Sequence, residues 1–160
     1  MHTVLTYVLI AAIPLLACNT PRHMTSQSTH TIAIRLTPGQ DVLQALHNVV
    51  KLHNITAGWL STCVGSLTAY NIRFANQPTG AAGTGHYEIV SLVGTLSING
   101  SHIHISISDS TGHTIGGHLL AGCKVYTTAE IVLQYTTKYT FERKEDGTTP
   151  YKELQVIEHK

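Results

Sequence analysis

Between Ser101 and His118 the chain reads SHIHISISDSTGHTIGGH. Ile103, Ile105 and Ile107 alternate with His102, His104, Ser106 and Ser108, the two-residue period of a strand with one apolar face. His102 and His104 therefore share the other face, with Cα atoms roughly 6.5–7 Å apart, a spacing from which two imidazoles converge on one ion. His118 follows Gly116-Gly117, where bare backbone lets the chain fold back against that face and bring a third imidazole. Three neutral imidazoles suit Zn²⁺ and leave a fourth position for water or substrate, the open arrangement of catalytic zinc. Such an ion lowers the pKa of bound water to about 7 or polarises a carbonyl. The plain alternative is a set of polar histidines on a solvated or interface face, hydrogen-bonded through their ring nitrogens.

Catalysis at such a centre also needs a proton-transfer group. Glu88 and Glu130 are the candidates, because each interrupts an otherwise apolar or Thr-rich strand and is costly to bury without a partner. Their alternative role is a structural carboxylate bonded to backbone, His86 or Lys124. Asp109 reads as a turn residue accepting from the backbone near Gly112, with an outer role toward a histidine ring as the second option. Gly116 and Gly117 have no phosphate-loop context, and Trp59 reads as core. Tyr126, Tyr135 and Tyr139 interleave with Lys138, Arg143 and Lys144 as a single-strand nucleic-acid surface does. Glu142, Glu145 and Asp146 dilute that charge and favour an ordinary strand surface.

The elements that must position these groups are mostly strands. Ile32 to Leu36 reads as the first, ended by Thr37-Pro38-Gly39. Asp41 to Asn54 carries Val42, Leu43, Leu46, Val49, Val50 and Leu52 at helical spacing, with Asp41 favourable to the dipole and His47 and His53 as exposed polar positions. Ala57 to Gly65 and Leu67 to Phe74 read as two strands separated near Gly65-Ser66, and Asn76 to Gly85 as a loop. Tyr87 to Ile98 and His102 to Ser108 flank Asn99-Gly100, a hairpin signal. Val125 to Arg143 gives one or two more strands, and Leu154 to Ile157 a last edge strand after the Glu145-Asp146-Gly147 turn. The expected fold is α+β, a mainly antiparallel sheet packed with one main helix in a single compact domain over residues 32–158. Its exposed edges need covering, and self-association is one way to do it.

The 160 residues include ten Lys and Arg, nine Asp and Glu and eleven His, for a formal net charge of +1. Only 12% of residues are charged, so no strong field gathers polyanions, which argues against nucleic acid as a partner of this chain alone. The three cysteines, Cys18, Cys63 and Cys123, form no CxxC pair. Cys63 and Cys123 sit in apolar runs as small buried hydrophobes, with a disulfide between them as the alternative in an exported protein.

Residues 1–31 are of another kind. Val4 to Ala17, VLTYVLIAAIPLLA, has the length of a signal-peptide h-region, although no Lys or Arg precedes it. Leu15-Leu16-Ala17-Cys18 resembles a bacterial lipobox that would lipidate Cys18, and Asn19 to Thr31 reads as a flexible tether. This predicts a secreted or membrane-anchored protein that meets the membrane only through its N-terminal segment. A start at Met24 gives instead a cytoplasmic or nuclear one. In a eukaryotic secretory pathway Asn54-Ile55-Thr56 and Asn99-Gly100-Ser101 are acceptor sequons.

With these pieces in order, the chain resembles the PPC domain, the plants and prokaryotes conserved domain, from Ile32 to about Phe141. The resemblance rests on Pro38-Gly39-Gln40-Asp41-Val42 and on GWLSTCVGSLTAYNIRF from Gly58 to Phe74. It continues through Gly85-His86-Tyr87-Glu88-Ile89-Val90, His102-Ile103-His104 with Asp109, Gly116-Gly117-His118-Leu119 and Thr128-Ala129-Glu130. The resemblance implies a homotrimer of α+β subunits with His102, His104 and His118 as a metal-binding unit. It also implies similarity in fold to acetolactate decarboxylase and related zinc enzymes, and hence a zinc-dependent lyase or hydrolase acting on a small oxo-acid or ester as an alternative to a non-catalytic module binding a metal or small ligand. In plants the domain accompanies AT-hooks in transcription regulators, and a Gly-Arg-Phe-Glu-Ile-Leu segment contacts partner proteins. Here Gly85, Glu88 and Ile89 keep that pattern while His86 and Tyr87 depart from it, and the chain has no Arg-Gly-Arg-Pro core. A DNA-associated regulator is the third reading.

Overall fold

The computed structural model describes residues 28–160. The leader-like run, Cys18 and Met24 lie outside the described residues. Strand β1 (Thr29–Leu36) leads into helix α1 (Val42–Leu52), followed by β2 (Gly58–Arg73), β3 (Ala81–Leu96), β4 (His102–Ser108), β5 (Thr114–Leu119), β6 (Lys124–Thr136), β7 (Tyr139–Lys144) and β8 (Glu153–Glu158). Six strands form one antiparallel sheet in the order β1-β6-β2-β3-β4-β5, and β7 pairs with β8 in a second, two-stranded sheet. This is the expected α+β architecture, with one helix against a mainly antiparallel sheet. Among the described residues no helix is long and apolar enough to cross a membrane.

The helix is amphipathic as its spacing requires, with Val42, Leu46 and Val50 buried in the core. Asp41 is its N-cap: one carboxylate oxygen accepts the Gln44 N–H at 3.1 Å, and the other accepts the Gly122 N–H at 2.7 Å and faces the Lys124 ammonium at 3.4 Å. A single carboxylate thus caps the helix, at a typical gain of about 1 kcal/mol, and ties its start to the turn between β5 and β6. His53 is exposed as expected, while His47 is half-buried.

Several strand boundaries differ from the sequence reading, each for a local reason. β1 begins at Thr29, ahead of Ile32, because Thr29 through Leu36 pair with Thr136 through Ala129 of β6. The two strands expected on either side of Gly65 are one, β2. Gly65 makes a bulge, marked by a register shift against β6 between Gly65 and Leu67, and not a turn. The expected loop before Tyr87 is shorter, since Ala81 to Thr84 pair with Ile72 to Ala69 and extend β3 upstream. The hairpin at Asn99-Gly100 is present, with the Gly100 N–H donating to the Ser97 carbonyl at 3.0 Å. Val125 to Arg143 resolves into two strands, β6 and β7. The last strand pairs with β7 alone.

β2 also pairs at its end with β5, Ile72 opposite Leu119 and Arg73 opposite His118. Strands β2, β3, β4 and β5 therefore close a circuit, with β6 and β1 continuing from the other stretch of β2. Closure demands backbone contact where β5 meets β2: a Cβ on Gly117 would lie 2.5 Å from the Arg73 carbonyl oxygen. The buried core includes Leu67, Ile72, Leu96, Ile105, Leu119 and Leu133. Cys63 and Cys123 are buried free thiols, and burial pushes the Cys63 thiol up to about 11. Trp59, expected in the core, is half-buried and donates its indole N–H to Gln134 at 3.2 Å.

Candidate metal centre

The period-2 reading of β4 holds in three dimensions. Ile103, Ile105 and Ile107 are at most 2% exposed, so His102 and His104 stand on the opposite face. Gly94 of β3 holds that strand close: it pairs with Ile103, and a Cβ there would lie 2.2 Å from the His102 carbonyl oxygen. The third imidazole arrives by pairing, since β5 runs antiparallel beside β4 and His118 lies directly opposite His104. The glycine pair does not fold the chain over the histidine face. It lets β5 seat between β4 and β2.

The three imidazoles meet. One ring nitrogen from each lies within 4.8 Å of the others, and the ring centroids are 4.9, 5.1 and 5.8 Å apart. His102 Nε2 and His104 Nε2 are 3.1 Å apart. Two nitrogens bound tetrahedrally to zinc at about 2.0–2.1 Å would be about 3.3 Å apart, close to the separation of this pair. The longest separation is wider, and closing it falls to rotation of side chains whose backbones the ladder fixes. Nδ1 of His118 is buried without a hydrogen-bond partner, a donor set left open on an otherwise satisfied strand. Burial, followed by the charges of His102, Arg73 and His104, lowers the His118 ring to about 4. Burial also lowers His102, with His104 and Arg143 acting in the same direction and Glu153 opposing them. Rings held neutral are what metal ligation requires.

The histidines line a cleft of about 860 Å³ whose other walls include Arg73, Ser101, Arg143, Lys152 and Glu153. These groups come from the end of β2, the β3–β4 turn, β7 and the start of β8. Nothing in the sequence marks these groups as site residues, because the β7–β8 hairpin is what brings the last three to β4. Glu88 and Glu130, expected beside the metal, are exposed on β3 and β6 and do not line the cleft. The burial that motivated them is absent. The cleft's own carboxylate is Glu153, which accepts from the Thr149 hydroxyl.

Asp109 is the turn residue expected: it accepts the Thr111 N–H at 2.9 Å, the Thr111 hydroxyl at 2.7 Å and the His113 N–H at 3.0 Å. On the segment Gly85 to Val90, His86, Glu88 and Val90 are exposed and Ile89 is buried, while Tyr87 packs edge-on against Tyr70 at 5.2 Å. His86 stacks on Tyr126 at 4.2 Å. The basic residues of the tyrosine-rich stretch largely pair within their own hairpin, Lys138 with Glu158 at 2.9 Å and Lys144 with Glu142.

Fold and site together define an antiparallel α+β domain that presents three clustered histidines from two adjacent strands. The sequence pattern of the Plants and Prokaryotes Conserved (PCC) domain matches residues 23–137, and the chain belongs to that family. It is 38% identical over 140 residues to the bifunctional protein GlmU of Synechococcus sp. (strain JA-3-3Ab), a match covering 88% of this chain and 22% of that protein. The chain thus spans about a fifth of the length of the curated relatives it matches. A hypothetical protein from Salmonella cholerae-suis has a solved structure that is 37% identical, with a TM-score of 0.81, covering 86% of this chain and 99% of the other. A metal-containing protein from Archaeoglobus fulgidus shares the fold at 21% identity and a TM-score of 0.68, over 79% of this chain and 93% of that one. A protein from Bacteroides thetaiotaomicron named as a candidate DNA-binding protein shares it at 19% identity and a TM-score of 0.65, over 82% and 96% of the two chains.

Proposed function

We propose that the chain is a metal-binding module of this family, in which His102, His104 and His118 hold one zinc ion facing the cleft. The observation that carries the reading is the convergence of three ring nitrogens within 4.8 Å from strands whose register fixes them. The metal-containing neighbour of the same fold supports it. Zinc bound there would supply Lewis acidity and an acidified water. The chain's residues do the rest: the ladder orients the rings, and desolvation favours the neutral form of His118 and His102. A lyase or hydrolase acting on a small oxo-acid or ester would draw its proton-transfer group from Glu153, since neither Glu88 nor Glu130 reaches the cleft. The working unit is a homotrimer, supported by exposed Val90 and Val93 on β3, 57% and 54% accessible, on a sheet that needs a partner surface.

Elemental analysis of untagged protein tests the centre. One zinc per chain is expected, lost in a His102→Ala, His104→Ala double variant that keeps the circular dichroism of the parent. A folded parent that takes up no zinc on titration overturns the reading.

A further inference from the structure

Beside the histidines, the cleft concentrates positive charge. Arg73, Arg143 and Lys152 line it against one carboxylate, Glu153. Among the described residues the ion pairs join His113 to Asp109, Lys124 to Asp41, Lys138 to Glu158 and Lys144 to Glu142, and none involves either cleft arginine. Arg143 is nevertheless held in place, its Nη2 donating to the Thr95 hydroxyl at 2.7 Å. Its Nε is buried without a partner, and so is the Ser101 hydroxyl on the same wall. Buried polar groups in folded chains are ordinarily satisfied. These two unmatched donors lie just beneath the cleft wall, where a small turn of either side chain presents them to an acceptor from outside the chain.

The charges point the same way. Arg73 stands directly opposite His118 in the β2–β5 pairing, and Arg143 lines the cleft together with His102 and His104, so both guanidinium groups share the cleft with the metal position. A divalent ion on neutral imidazoles adds to that positive field, and an anion relieves it. A guanidinium presents a planar fork matched to a carboxylate or phosphate. The cleft's volume of about 860 Å³ falls among those of small-molecule sites, roughly 300–1,000 Å³.

We propose that the cleft binds a small organic anion, whose carboxylate or phosphate group is held by Arg143, Arg73 and the Ser101 hydroxyl while the rest of the molecule reaches the histidine centre. The metal end of this arrangement rests on the reading above; the arginine end stands without it. Lys152, exposed at the rim, steers the anion inward and Glu153 sets the edge of the binding surface.

Titration calorimetry on the full chain, zinc-loaded and metal-free, with malonate and with inorganic phosphate as separate probes, tests this. One anion should bind per chain, at least tenfold more weakly in Arg143→Gln with zinc content unchanged. Arg143→Lys, which keeps the charge and loses the fork, should fall between. The tighter probe identifies the anionic group. Arg73→Gln provides the same comparison if Arg143→Gln fails to melt cooperatively. If zinc binds at one per chain and neither probe binds, or both arginine variants bind as the parent does, the anion site is wrong and the metal reading stands. If zinc does not bind, the metal reading falls and the metal-free titration decides: binding lost in the arginine variants supports the anion site, and no binding overturns it.

Discussion

His118 departs furthest from the ordinary behaviour of its kind. Its ring loses protons at about 4 in the folded chain and near 6.5 when unfolded, so between these values the unfolded chain holds the extra proton. Stability therefore rises with pH across that window. The contribution is complete above about pH 6.5 and lost as pH falls toward 4, and His102, also lowered, adds to the same slope. Thermal melts of metal-free protein from pH 7.5 to 4 should show the midpoint falling across this interval, and His118→Asn should flatten part of the fall. Equal slopes for parent and variant would contradict the assignment. That His118 comes beside the other two rings was legible in the sequence, where the Ile/His alternation and Gly116-Gly117 allowed a third imidazole and the family resemblance grouped the three. Its depressed titration was not, since it follows first from burial in the folded chain and then from the charges of His102 and of Arg73, the latter distant in sequence and brought opposite by the β2–β5 pairing.

Among the elements, the β3–β4 hairpin sets the positions of two of the three rings. Gly94 permits the close approach, so Gly94→Ala must displace backbone: its Cβ would lie 2.2 Å from the His102 carbonyl oxygen and 2.7 Å from Ile103 Cα. We expect a loss of about 2–3 kcal/mol in chemical denaturation, together with weaker zinc binding because His102 moves. Gly112→Ala is the contrasting case. Its position has φ +83° and no atom within 4 Å, so the cost is conformational alone, about 1 kcal/mol, with zinc affinity unchanged. The same elements show what a sequence displays. Period-2 alternation made β4 and its outward histidines legible, and Asn99-Gly100 gave the hairpin. A glycine that bulges a strand reads like one that turns it, which is why β2 looked like two strands at Gly65. Glu88 and Glu130 looked buried because their neighbours are apolar, yet the alternation that buries Ile89 and Ile131 exposes them.

At the scale of the whole molecule, a trimer predicts a light-scattering mass three times the 17.3 kDa of the chain. Charges placed on the exposed β3 valines, as Val90→Asp with Val93→Asp, should shift that mass toward the monomer while the melt stays cooperative. A monomeric parent at micromolar concentration would remove the trimer from the account. Arg143 and Glu153 belong to this scale too. Nothing near either in sequence marks a binding residue, because their relevance comes from where the β7–β8 hairpin lies against β4.

The pairing of β1 with β6, Thr29 opposite Thr136, bears on how the chain is made. The first strand leaves the ribosome about a hundred residues before its neighbour, a wait of roughly 5–20 s at ordinary rates of synthesis. Until then Ile32, Ile34 and Leu36 of β1 lack the strand they pair beside and are available to any other nascent copy. Its ordering is accordingly among the last events of biogenesis, and slow, long-range zipping is the kinetic signature to expect.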